Sequence, residues 1–154
     1  MNGPGDSRKR RGFTVIELLT VVVVMGILAN IATPIYQEAR RRADAAAVIG
    51  AVHTIRVGVY DNFAARSSYP PSAGWRVVPA EMRPSLPGGF KFQYKTVDFR
   101  WRRWSNAAGV RRGGGPLIGV ELRTSDQKLL KAIRNAYKGP TLAGGATAIT
   151  LILD

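Results

Sequence analysis

Four consecutive basic residues, Arg8, Lys9, Arg10 and Arg11, are followed after Gly12 by an almost unbroken apolar run from Phe13 to Ile35, FTVIELLTVVVVMGILANIATPI. At about 1.5 Å per residue, a helix over that run is long enough to cross a hydrocarbon core about 30 Å thick. A basic flank before an apolar segment of this length predicts membrane insertion at the N-terminus. The basic flank stays on the cytoplasmic side, and whatever follows is translocated.

The commonest chain of this type is a secretory signal peptide or a plain anchor, and three details separate this one from both. The only small residues placed for secretory cleavage, Ala29 and Ala32, are interrupted by Asn30 and Ile31. Glu17 stands four residues into the apolar run, where a carboxylate is costly and demands a cation or a proton. Gly12 lies directly at the boundary between the basic and apolar parts.

Gly12, Phe13 and Glu17, with Thr14-Val15-Ile16 between and Leu18-Leu19 after, resemble the type IV prepilin and pseudopilin family. Its signature is a basic leader ending in Gly, then Phe, then Glu as the fifth residue of the processed chain. The resemblance covers Arg8 to about Arg42. It implies that a prepilin peptidase cuts between Gly12 and Phe13, removes residues 1–12 as a leader, and N-methylates the new Phe13 amine. It further implies assembly with other filament subunits through Glu17 and Phe13, on an inner-membrane platform, with the bilayer holding the subunit beforehand. A carboxylate paired with that amine offsets part of the burial cost of both charges, so a subunit inserted at the wrong height leaves a charge unpaired.

Residues 36–66 continue without a turn signal as the second half of the same helix. Ile35, Ala39, Ala43, Ala46, Ile49, Val52, Ile55, Val59 and Phe63 recur every three or four positions, a stripe expected to pack on a globular head. If wholly helical, Phe13 to Ala65 is about 80 Å long. Pro34 lacks the N–H that would bond the Asn30 carbonyl, and Gly26 is a second weak point, so a kink is expected at Gly26 and Pro34. Arg40, Arg41 and Arg42 place positive charge at the far end of the apolar run as well.

The head is expected over residues 67–154. Ser67 to Gly89 holds most of the prolines and reads as a structured loop, and its Tyr69-Pro70 resembles the step that follows the long helix in many pseudopilins. Phe90 to Trp104 alternates apolar and polar residues as a hairpin turning near Thr96, and Leu117 to Arg123 is a third strand. Thr124, with Gln127 three residues on, reads as the cap of a short helix whose buried side is Leu129, Leu130, Ile133 and Tyr137, and Gly139-Pro140 ends it. Ala146 to Leu153 is a last strand. The expected class is α+β: a long N-terminal helix, membrane-spanning in its first half, packed on a small, mostly antiparallel sheet of about four strands with one additional short helix.

The inventory excludes much chemistry. The chain has no cysteine and one histidine, so thiolate catalysis, disulfides and Cys- or His-rich metal centres are not available, and no catalytic constellation can be assembled. No enzyme activity, cofactor or metal is expected. Lys and Arg number 23 against 10 for Asp and Glu, a formal charge of +13 that draws phosphate, acidic protein or anionic lipid. Arg100, Arg102, Arg103 and Trp104 interleave cations with an aromatic as single-strand binders do, which makes DNA a second partner class to weigh. The glycines between Ser105 and Pro116 lack the Gly-Lys-Ser/Thr of a phosphate loop.

The resulting expectation is a structural filament subunit, a type II secretion pseudopilin before a pilus pilin. The absence of cysteine and the Tyr69-Pro70 step favour the pseudopilin, and Glu17 disfavours a tip-initiating role. It would cross the inner membrane once, with its N-terminus cytoplasmic and its head periplasmic. The reading of another class is a basic envelope protein held by a signal anchor that never polymerises.

Overall fold

A computed structural model describes residues 12–104, 116–143, 145 and 147–153. Residues 1–11, most of the expected leader 1–12, and the glycine-rich segment 105–115 therefore lie outside the described residues, as does Ala146, the expected first residue of the last strand. The chain divides into two compact units between Glu38 and Ala39. The first is the N-terminal part of helix α1 (Val15–Arg66), in which every described side chain is exposed. Helical assignment runs through both Gly26 and Pro34. Thr20 and Thr33 satisfy their hydroxyls on their own helix, donating to the carbonyls of Ile16 and Ala29, so neither carries an unmet polar group along the apolar run.

The second unit begins with the remainder of α1, which buries Ala45, Val48, Val52, Ile55, Gly58, Val59 and Asn62. Val52, Ile55 and Val59 are the expected stripe. Below them the buried residues are Ala45 and Val48, whereas the expected Ala43 and Ala46 are exposed and Ile49 is half-buried. Ala39 and Ile35 are also exposed, and Phe63 instead stacks on Tyr69 with ring centroids 4.4 Å apart. Ala45 to Ile49 is apolar at every position, so two stripes one residue apart satisfy the same helical period, and only the opposing surface chooses between them.

That surface includes a short 3-10 helix at Ala80–Ser85, inside what reads in sequence as a structured loop. A Cβ at Gly58 would lie 2.8 Å from the Leu86 side chain and 3.2 Å from the Ser85 carbonyl, so glycine is what lets this turn lie against α1. Asn62, buried in the same contact, donates from Nδ2 to the Glu81 carbonyl at 2.6 Å.

The sheet has five strands: β1 (Gln93–Tyr94), β2 (Val97–Trp104), β3 (Leu117–Arg123), β4 (Thr141–Ala143) and β5 (Ala148–Ile152), in the order β1-β2-β3-β5-β4, antiparallel throughout. The expectation of about four strands is corrected by β4, which has no alternation of its own and exists through pairing with β5. The hairpin turns at Lys95-Thr96 as expected, but its first strand is two residues long, because Phe90 folds back through a turn to the Pro87 carbonyl. Lys95 adopts φ of +50°, the left-handed conformation that tight two-residue hairpins require at their first turn position.

Register stacks the core in rows: Phe99, Leu122 and Ile149 are partners, as are Trp101, Val120 and Leu151, and all six are buried against α1. The free stretch of the β2 edge is covered by the incoming loop. Ala73 and Arg76 donate their backbone N–H groups to the carbonyls of Trp101 and Phe99, and Ser72 bonds both the N–H and the carbonyl of Arg103. Helix α2 (Gln127–Ala136) adds Leu129, Leu130 and Ile133 to the core. Its cap is Asp126, not Thr124: Asp126 accepts from Leu129 N–H at 3.0 Å, while the buried Thr124 hydroxyl accepts from Asp126 N–H one step earlier. The helix ends at Ala136, leaving Tyr137 as its C-cap and Gly139-Pro140 beyond the end.

Candidate functional site

The N-terminal end of α1 brings Gly12, Phe13, Thr14 and Glu17 into one turn. Phe13 is exposed ahead of the helix, and Thr14 supplies its first carbonyl, to which Leu18 N–H donates at 3.2 Å. Thr14 Oγ1 accepts from Glu17 N–H at 3.3 Å, and Glu17 Oε2 accepts from both Thr14 N–H and the Thr14 hydroxyl at 2.9 Å. This is a reciprocal capping box, with Thr at the cap and Glu three residues on. The carboxylate also complements the positive end of the helix. The spacing Thr14-x-x-Glu17 is the sequence signal for this cap, and the structure gives Glu17 a partner in its own chain.

Beyond Glu17 the helix presents an almost continuous apolar surface: Leu18, Leu19, Met25, Ile27, Leu28 and Ile31 are each about three-fifths exposed. A window within α1 reaches a mean hydropathy of 2.4, and the helix is long and apolar enough to cross a membrane. Such a surface belongs either to a bilayer or to other apolar helices.

Residues 7–32 match the family described as prokaryotic N-terminal methylation motif. The N-terminal segment is similar to that motif over 26 of the 154 residues. A relative is the fimbrial protein EcpB of Eikenella corrodens, 51% identical over 35 residues, which are 23% of this chain and 22% of that protein. The match therefore spans about a fifth of the fimbrial protein's length. No solved structure matches the chain.

Of the basic and aromatic residues singled out in β2, Arg100, Arg102 and Trp104 share one face and Arg103 lies on the other. Arg100 donates from Nε and Nη2 to Glu121 Oε2 at 3.0 and 2.6 Å, and its guanidinium lies 4.4 Å from the centroid of Trp75. Arg123 bonds Asp98 at 2.9 Å and lies 4.5 Å from the same indole. Arg102 sits 5.6 Å from the Trp104 ring, and its Nε is buried with no hydrogen-bond partner among the described residues. Arg103 faces the other way and donates to the Tyr69 carbonyl at 2.8 Å. Strand alternation thus divides these four residues between the two faces of β2, and Arg100 and Arg103 already hold partners within the head.

Among the described residues no group of three metal-ligating side chains occurs. An open groove of about 520 Å³ is lined by Arg76, Arg83, Lys91, Val77, Leu86 and Phe90 among others, and brings no carboxylate or histidine to its wall.

Proposed function

We propose that this chain is a structural subunit of a type IV pilin-like filament, cut between Gly12 and Phe13, methylated on the Phe13 amine, and assembled through the exposed apolar face of α1. The observation that carries the reading is a single carboxylate, Glu17, at the head of an otherwise apolar exposed helix within a prokaryotic N-terminal methylation motif. Cutting after Gly12 creates an ammonium one residue before the amide that Glu17 already accepts from. The carboxylate can then exchange its capping bonds for a full charge, on its own chain or on a neighbour, and a subunit at the wrong height forfeits that pairing.

Within the filament class, the type II secretion pseudopilin is the finer reading. It is supported by the lack of cysteine and by the Tyr69-Pro70 step, which is built into the head: Tyr69 stacks on Phe63, and the Pro70 carbonyl accepts from Trp101 Nε1 at 3.0 Å. A pilus pilin is the second reading, favoured by the fimbrial relative. In either, the prepilin peptidase and the inner-membrane platform are the partners, and the head is periplasmic.

The deciding measurement is the intact mass and N-terminal sequence of the protein recovered from membranes of its own host. A chain beginning at N-methylated Phe13 is expected. A chain still beginning at Met1, or cut near Ala29 or Ala32, would restore the non-polymerising anchor.

A further inference from the structure

The arginines at the far end of the apolar run have no part in processing or in the Glu17 pairing. Positive charge on the translocated side of a membrane segment runs against the usual bias of basic residues toward the cytoplasm. Arg40, Arg41 and Arg42 are consecutive, so on a helix they fan over roughly 200° of its circumference. Arg40 and Arg42 are exposed and Arg41 is half-buried; Arg41 and Arg42 also interact within the chain, and each guanidinium carries five N–H donors in all.

The head adds a fourth cation to this fan. Lys95, at the tip of the β1–β2 hairpin, reaches Asp44 on α1 at 2.5 Å, and it lies near enough to Arg40 for the two charges to oppose each other. Four cations are therefore gathered around the start of the second unit, against two carboxylates, Glu38 and Asp44, in the same stretch of helix. The apolar run ends at Ile35, followed by the exposed Tyr36, a residue suited to a membrane interface. Five to seven residues further along a helix amount to about 8–11 Å, just past a headgroup layer about 5–7.5 Å deep, and helical side chains lean toward the N-terminus, so long arginines there reach back into that layer.

We propose that Arg40, Arg41 and Arg42, with Lys95, form a collar that binds the phosphates of anionic phospholipid on the head side of the membrane and holds the unassembled subunit at a fixed height. Guanidiniums suit this ligand because they pair with phosphate oxygens in a bidentate fork, and an excess of cations selects anionic over zwitterionic headgroups. The inference rests on the filament reading only for the side of the membrane. Lipid binding and cleavage after Gly12 are separate readouts of one spectrum, so either can fail without the other.

The test is native mass spectrometry of the full chain in detergent, titrated with phosphatidylglycerol or phosphatidylcholine. The triple variant R40Q/R41Q/R42Q, its conservative counterpart R40K/R41K/R42K and the leader variant R8Q/K9Q/R10Q/R11Q are run beside it, with circular dichroism to check that each folds. The wild type and the leader variant are expected to retain phosphatidylglycerol in preference to phosphatidylcholine. The glutamine triple should lose that preference by about five-fold per arginine removed, and the lysine triple should keep most of it. Loss in the leader variant alone, or equal retention of both lipids by the wild type, overturns the proposal. Displacement of the lipid by millimolar inorganic phosphate also overturns it, since the arginines would then hold any phosphate and not a headgroup.

Discussion

Glu17 Oε2 accepts two hydrogen bonds from a single residue, the backbone N–H and the hydroxyl of Thr14, both at 2.9 Å. The carboxylate that makes this apolar helix unusual is therefore also the group that closes its first turn. Here it is held on its own chain. Under the proposed cut after Gly12, the same oxygen would lie beside a new ammonium, and that change of partner would couple processing to assembly.

Replacing Thr14 by Ala keeps the backbone donor and removes the hydroxyl from both sides of the box. Losing a threonine cap costs about 1 kcal/mol, so amide exchange at Glu17 and Leu18 should quicken by about five-fold in detergent micelles. Glu17→Ala should insert into the membrane and be cut normally, yet be lost from filaments, as read by the fraction of processed chain that sediments with them. Normal incorporation of Glu17→Ala would leave the carboxylate as a helix cap and nothing more.

Trp101 is fully buried, and its indole N–H donates to the Pro70 carbonyl at 3.0 Å. Phenylalanine at this position keeps most of the ring but leaves that carbonyl without its donor, at a cost of about 1–3 kcal/mol. The head of Trp101→Phe should unfold at a correspondingly lower urea concentration by circular dichroism, with an unchanged slope.

The side-chain hydrogen bond to Asp44, aided by its negative charge, raises the Lys95 pKa above the ordinary lysine value of 10.5. Because the folded value is the higher one, the pair's contribution to stability is fully present below pH 10.5 and is lost as pH rises through the folded value. The melting temperature of the wild type should exceed that of Asp44→Asn by a constant margin from about pH 7 to about pH 9.5, and the margin should shrink above pH 10.5. A margin that instead shrinks on acidification through neutrality would show that some other group governs it.

The strand positions that alternate cleanly were legible from sequence. Val97, Phe99 and Trp101 face the core and Asp98, Arg100 and Arg102 face away, because a period of two fixes the faces once the strand is recognised. The α2 cap was misassigned for a reason equally local. Thr124 and Asp126 both have acceptors at hand, and a capping-box spacing at Thr124 and Gln127 competes with a plain Asp cap one step from the helix. The box that does form, at Thr14 and Glu17, has the same spacing, but there the glutamate reads first as a charge in an apolar run and the cap is masked.

What the sequence alone determined is the N-terminal chemistry: a basic flank, Gly12 and Phe13 at the boundary, one carboxylate, and an apolar run long enough to cross a bilayer. Those properties are local in the chain and need no folding partner to be read. Tertiary structure alone decided which face of the second half of α1 is buried, that Thr141–Ala143 is a strand, and that Arg100 and Arg103 are tied into the head. Each of these depends on a group distant in sequence. Ala45 and Val48 are selected over Ala46 and Ile49 by the sheet and turn that meet them, β4 is created by the free edge of β5, and the arginines find Glu121 and Tyr69 only when the strands and the incoming loop come together.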